Sequence, residues 1–494
     1  MCISARNNAR AFRLLVSAAL SASTVTGCAV GPDFVAPKAP TAAQYTSGVE
    51  PTATTIVGGA SQQLSTTGEL PADWWQLFDC TKLNEAIKLG LTGSPTITLA
   101  EANLREAQDN LRAGQGVFYP QVNGAANAAR ERPSSNAVPG EGGIYNLFTL
   151  SATVDYTLDV FGGERRAVEA SGAQVDYQQN AARAASLTLA SNIANTIIAA
   201  AAYDAEIQAT NQIVAYQKEQ VRLAAVQVKS GMGTVAAELS LQTQLETTEA
   251  QIPALRQKLT QAQDLLAVLG GKLPAEVQPP QIQFADLTLP RALPVSLPSA
   301  LVRQRPDILQ AQASLHAASA EIGVATAAML PSITLDGALG TSSTSISNLM
   351  IPSSKLWSVG AGLTQPVFHG GSLWFQRKAA LDAYDAAVAS YQQTVLSAFE
   401  QVADTLRALQ HDADALAIDE KALATAKRAL DLTQANYQAG LAVYSDVLIA
   451  NAQYQQLQIV DIQARAARYQ DTVALFAALG GGWWNGNSNV ETRR

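Results

Sequence analysis

Thiols, imidazoles and charge are all scarce in this chain of 494 residues. It has 3 cysteines, 3 histidines and 15% charged residues, against roughly 25% charged in ordinary soluble domains. So few soft ligands leave nothing from which to build a metal cluster. His316, His369 and His411 lie far apart in sequence, and His411-Asp412-x-Asp414 lacks the second ligand group that a closed site needs; it reads as a polar helix face. Cys2 and Cys28 sit near the N-terminus, which leaves Cys80 alone and excludes a disulfide framework in the body of the chain. In "LFDCTKLNEAI" that lone thiol reads as a small buried hydrophobe. After the first 25 or so residues there is no continuous apolar run of about 18, so no transmembrane helix is expected. The formal net charge is −8, which disfavours nucleic acid as a partner. "SGMGT" at Ser230 has neither the preceding strand nor the lysine of a phosphate loop. No Ser/His/Asp set or opposed carboxylate pair is visible either, so no catalytic residue, no metal and no cofactor is expected, and the chain does not read as an enzyme.

What is present begins with Arg6, Arg10 and Arg13 ahead of "LLVSAALSAS", an apolar core of signal-peptide length. Removal of residues 1–27 takes away only positive charge and makes the remainder more acidic. Val25-Thr26-Gly27-Cys28 resembles a bacterial lipobox, so Cys28 is expected to carry covalent lipid at about 0.8 kcal/mol per buried methylene. Ala29, rather than aspartate, follows it, which favours the outer membrane by resemblance to sorted lipoproteins. Residues 28–70 then read as a lipidated extended segment.

A chain in that membrane spans lipid as strands, whose alternation escapes a hydropathy window. In "FTLSATVDYTLDVF", Phe148, Leu150, Ala152, Val154, Tyr156 and Leu158 alternate with Thr149, Ser151, Thr153, Asp155, Thr157 and Asp159, the period of a strand with one apolar face. "YPQVNGAANAAR" from Tyr119 supplies a partner, and the hairpin reads over about 118–161. A second hairpin, about 330–368, pairs "LPSITLDGALG" with "KLWSVGAGLTQPVF". Strands of about ten residues cross a bilayer when tilted.

The hairpins belong to an internal repeat. Pro95 and Pro120 match Pro306 and Pro331 at an offset of 211, and "DVFGGERR" matches "PVFHGGSLW". The first repeat reads as 71–280, the second as 281–482, with a tail over 483–494. Between the marks, proline-free stretches rich in Ala, Gln and Leu run from about Glu164 to Lys229 and from about Gln376 to Gln438. At 1.5 Å per residue each helix would extend roughly 100 Å. Gly231 and Gly440 end them in turns, and return helices are expected from about Ala236 to Leu269 and Asp446 to Leu479. Four strands cannot close a membrane barrel, whose smallest form has about eight, so the chain must oligomerise.

"RPDILQAQASLHAASAEIGVATAAMLPSITLDGALG" from Arg305, "PADWWQLFDCTKLNEAI" from Pro71 and the terminal "ALGGGW" resemble the TolC-like outer-membrane efflux channels, in the NodT lipoprotein branch. The resemblance implies an α+β membrane protein: a homotrimer with a twelve-stranded outer-membrane barrel, four strands per chain, continued by a long periplasmic helical barrel. It implies a passive exit duct for drugs or other small toxic compounds, with a periplasmic adaptor (membrane fusion) protein and an inner-membrane efflux pump as partners. It also implies a gate near the helical turns: Asp446 matches a first acidic ring, Ile449 stands where a second acid is usual, and Tyr437 matches an aromatic at the constriction. The turns at Gly231 and Gly440 are the expected adaptor contacts. A polypeptide secretion duct and a non-porous lipid-anchored helical scaffold stay open as alternatives.

Overall fold

The computed structural model describes residues 29–47, 52–57, 61–65, 68–132, 143–278 and 280–486. The expected leader and Cys28 lie outside the described residues. In chain order the elements are β1 (Gln63–Ser65), α1 (Thr81–Gly93), α2 (Pro95–Gln115), β2 (Gln121–Glu131), β3 (Tyr145–Leu158), α3 (Gly163–Lys229), α4 (Val235–Glu249), α5 (Gln251–Leu269), β4 (Ala292–Pro294), α6 (Pro298–Gln304), α7 (Pro306–Ala327), β5 (Ser332–Ser343), β6 (Lys355–Thr364), α8 (Ser372–Gln438) and α9 (Tyr444–Ala478). Two compact units divide the described residues: one drawn from 29–37, 105–177 and 312–390, the other from 38–104, 178–311 and 391–486.

The first unit is built on a four-stranded antiparallel sheet in the order β2-β3-β5-β6. Its register sets Val122 beside Val154, then Gly337 and Val359, on one rung, while the next rung holds Asn123, Thr153, Ala338 and Ser358. Because side chains alternate faces, one face is apolar and the other is rich in Thr, Ser and Asp. The apolar face is open: Val122, Val359 and Trp357 are 69%, 81% and 75% exposed. Among the described residues, β2 and β6 each have one edge without a partner strand.

Where β3 gives way to α3, Asp159 accepts from the backbone N–H groups of Glu164 and Arg165 at 3.1 and 3.0 Å, satisfying donors that a helix start leaves over. The segment after residue 28 straps onto this corner. Val30 N–H donates to the Phe161 carbonyl at 2.9 Å, and the buried Arg166 guanidinium donates to Val30 O and to Asp33 Oδ1. Phe34 stacks on His316 with centroids 4.3 Å apart, and Glu169 bridges Arg166 and His316. This strap uses one of the three histidines for packing and hydrogen bonding.

The second unit holds the main apolar core. Trp74 and Phe78 from the segment before α1, Ile193, Ile197 and Ile198 from α3, and Phe476 from α9 are all under 3% exposed. Trp74 and Phe476 lie 5.6 Å apart. Cys80 is buried in the same cluster as a free thiol, as its apolar neighbours in sequence imply. One amendment concerns α3: it contains a stretch long and apolar enough to cross a membrane by length and composition, yet its isoleucine face belongs to this core. β1 and β4 form a short parallel pair beside it, Gln63 opposite Ala292.

α3 and α8 are both unbroken over 67 residues, since Ala, Gln and Leu lose little freedom in a helix and no proline intervenes. Both end the same way. Gly231 and Gly440 have φ of 70° and 72°, a left-handed conformation that glycine alone adopts freely. Their N–H groups and those of the next residues turn back onto the last carbonyls: Met232 to Gln227, Leu441 to Asn436. The return limbs differ. α9 is continuous, whereas the expected helix from Ala236 to Leu269 is interrupted at Ala250. Pro253 explains the break: it has no N–H to offer Glu249 O and its ring crowds that carbonyl.

A carboxyl pair joins α8 to α9. Asp471 Oδ2 is buried with no hydrogen-bond donor, and burial, then the neighbouring Asp412 carboxyl, pushes Asp471 up to about 7. A proton on Asp471 removes the cost of burying its charge. The folded chain therefore keeps a proton that the unfolded chain, titrating near 3.8, has released. Stability from this pair is complete below about pH 4 and drains away as pH rises to about 7. In Asp471→Asn, the fall in urea midpoint between pH 4.5 and 7.5 should be visibly smaller than in the parent chain.

Candidate functional site

The ends of α3 and α8 and the start of α9 converge within the second unit. Gln227 Nε2 donates to the Tyr437 hydroxyl at 3.0 Å, and Gln434 Nε2 donates to the Tyr216 hydroxyl at 2.7 Å. These are reciprocal ties: α3 gives a glutamine and a tyrosine, and α8 answers with a tyrosine and a glutamine. Tyr437 also packs on Tyr444, ring centroids 5.3 Å apart. The Tyr444 hydroxyl is buried without a partner. Burial first, then the neighbouring Tyr216, Tyr437 and Glu219, pushes its ionisation well above the ordinary tyrosine range. A buried hydroxyl left unsatisfied costs about 1–3 kcal/mol, so this end of the molecule is held by two good ties and loosened by one bad one.

Of the residues singled out in the sequence, Tyr437 thus sits in the centre of the cluster. Asp446 and Ile449 lie one turn apart near the start of α9, and both are exposed, Ile449 at 70%. Val447 between them is buried and fixes the face that they present. Gly231 and Gly440 occupy the two turns, each followed by an exposed apolar side chain: Met232 is 80% and Leu441 79% exposed. Gln227, Gln434, Tyr216 and Tyr444 went unnoticed in the sequence, where they look like ordinary helix residues. One signal was available: Gln227 and Tyr437 are 210 residues apart, almost the offset of the internal repeat. Among the described residues no group of three or more His, Cys, Asp or Glu side chains could hold a metal.

A sheet with one open apolar face, two 67-residue helices and a tyrosine-glutamine clasp at their turns define a class, the bacterial outer-membrane channels. The family model described as "Outer membrane efflux protein" matches residues 86–272 and again 297–481, and the chain belongs to that family. It is 28% identical over 97% of its length to the antibiotic efflux pump outer membrane protein ArpC of Pseudomonas putida, of which it covers 99%. It is 27% identical to the cation efflux system protein CusC of Escherichia coli O157:H7, covering 94% of this chain and 97% of that one. Among solved structures, the outer-membrane channel OprN superposes with a TM-score of 0.84 at 26% identity, over 92% of this chain and all of that one. The protein is an outer-membrane efflux channel component.

Proposed function

We propose that three copies of this chain pair edge to edge, β6 of one against β2 of the next, into a twelve-stranded outer-membrane barrel continued by a periplasmic helical tunnel. The observation that carries this reading is the four-stranded sheet with two unpaired edges and an exposed apolar face. In hydrocarbon an open edge leaves N–H and C=O groups without partners, at several kcal/mol each, and four strands are too few to curl closed. Copies of the same chain supply the missing edges. The polar face then lines a water-filled lumen.

In this reading the protein is a passive exit duct. An inner-membrane pump supplies the energy, and a periplasmic adaptor meets the turns at Gly231 and Gly440, where Met232 and Leu441 offer apolar knobs. The cargo is drugs or other small toxic compounds, a class that the names of the relatives support. Lipid on Cys28 holds the N-terminus to the membrane; mass spectrometry of the mature N-terminus should find a diacylated cysteine. The clasp of Tyr216, Gln227, Gln434 and Tyr437 keeps the tunnel end narrow. Three copies of Asp446 around the axis attract cations, and Ile449 one turn on adds an apolar constriction that closes by dewetting.

Purified protein in detergent tests the assembly: it should run as a heat-dissociable trimer and give single-channel currents in planar bilayers, whereas a folded monomer without current would refute it. For the gate, Asp446→Asn should reduce cation over anion selectivity by roughly twofold or more. Unchanged selectivity and conductance would remove Asp446 from the pore axis.

A further inference from the structure

The two corners where a hairpin hands over to a long helix match in sequence and oppose each other in chemistry. At the first, "DVFGGERR" from Asp159, the strap covers the chain. Val160 and Phe161 are half-buried, and the Arg166 side chain, 6% exposed, is spent on the strap. The second, "PVFHGGSLW" from Pro366, has one inserted residue, His369. Trp374 then stands where Arg166 stands, Leu373 where Arg165 stands, and Pro366 where the helix-capping Asp159 stands. Among the described residues nothing covers this corner: Val367 is 90%, Phe368 85%, Phe375 62% and Trp374 52% exposed.

A peptide strap presents carbonyls and carboxylates, so it needs the donors that arginine supplies. Trp374 has exchanged the strap-binding guanidinium of Arg166 for a largely apolar ring. Whatever covers this corner must therefore ask for little hydrogen bonding. Trp374 and Phe375 meet edge to face with centroids 4.8 Å apart, and Lys378 Nζ lies 5.9 Å from the Trp374 ring. An aromatic pair with an ammonium group beside it is the combination that settles where acyl chains meet phosphates, the ring in the chains and the cation among the headgroups. The patch also continues the open apolar face of β6, where Leu363 is 69% exposed, only a few residues before Phe368.

We infer that this second corner is a lipid-contact foot, in which Phe368, Trp374 and Phe375 enter the phospholipid interface and Lys378 faces a headgroup phosphate. The inference rests on the barrel reading. It makes the two corners unequal: one is sealed by the chain's own N-terminal strap, the other by the membrane.

Tryptophan emission from the full-length protein in phosphatidylcholine vesicles tests this, using lipids brominated near the headgroup or deep in the chain. The difference between parent and Trp374→Phe isolates Trp374. That difference should fall about twofold or more with shallow bromines, less with deep ones, and should resist aqueous acrylamide. Acrylamide quenching without bromolipid quenching would show a solvated corner and overturn the proposal. Resistance to both quenchers would show a corner covered by a second copy and would overturn it equally. Trp357, on the apolar face of β6, is the control. Loss of bromolipid quenching from the Trp357→Phe difference, together with absent channel current, would indict the barrel reading, whereas a quenched Trp357 beside an unquenched Trp374 would indict this inference alone.

Discussion

Channels carrying Gln227→Ala and Gln434→Ala together are expected to conduct far more than the parent under the same voltage. Each substitution removes one tie between α3 and α8, at 3.0 and 2.7 Å, and a neutral hydrogen bond contributes about 1 kcal/mol net. Over the three copies of the proposed trimer the loss approaches about 6 kcal/mol, if every tie must break for the end to widen, which corresponds to roughly 10⁴ in the ratio of closed to open states. Single-channel recording reads this directly: large, long-lived openings in place of small or rare ones. An unaltered conductance would show that these ties are spectators. The same recording on Tyr444→Phe should run the other way or not move, because that change deletes the buried hydroxyl that has no partner and lets Tyr437 keep its packing.

The second large effect concerns the core. Phe476 is fully buried, with Trp74 and Phe78 at 5.6 and 6.3 Å. Phe476→Ala removes an aromatic ring from a site walled by other rigid rings, which cannot collapse to fill the void. Such truncations cost about 3–5 kcal/mol. The urea midpoint, followed by tryptophan emission, should drop well below that of any single surface variant. Cys80→Ala, in the same cluster but smaller by one sulfur atom, should lose far less. Equal losses would mean that the cluster is loosely packed.

Much of the architecture was legible beforehand because it is local. The long helices read from about Glu164 and Gln376 are found at Gly163–Lys229 and Ser372–Gln438, since a proline-free run of good helix formers ending at glycine leaves the backbone few choices. The alternation around Val154 gave β3 its faces for the same reason. Non-local features stayed hidden. β1 pairs with β4 over only three residues each, across most of the first half of the chain, and no three-residue pattern announces such a partner. The interruption at Ala250 was overlooked although Pro253 was in plain view, because the amphipathic pattern continues on both sides of it. The clasp was half legible: Tyr437 stood out, but its partner Gln227 has no distinguishing neighbours, and the register between two rods decides which glutamine a tyrosine meets.

Three glycines, Gly31, Gly162 and Gly323, meet around the segment that begins at Ala29. Gly31 comes so near Gly323 that a methyl group on it would lie 2.5 Å from the Gly323 Cα, and one on Gly162 would lie 2.6 Å from the Ala29 Cβ. Gly323 has no spare room either, with Arg166 Cγ at 2.6 Å from such a methyl. The segment from Ala29 to Gly31 is thus wedged into a slot cut to backbone width, with no slack on either wall. A side chain introduced at Gly31, Gly162 or Gly323 would strain that wedge, so labels for this protein belong away from all three positions.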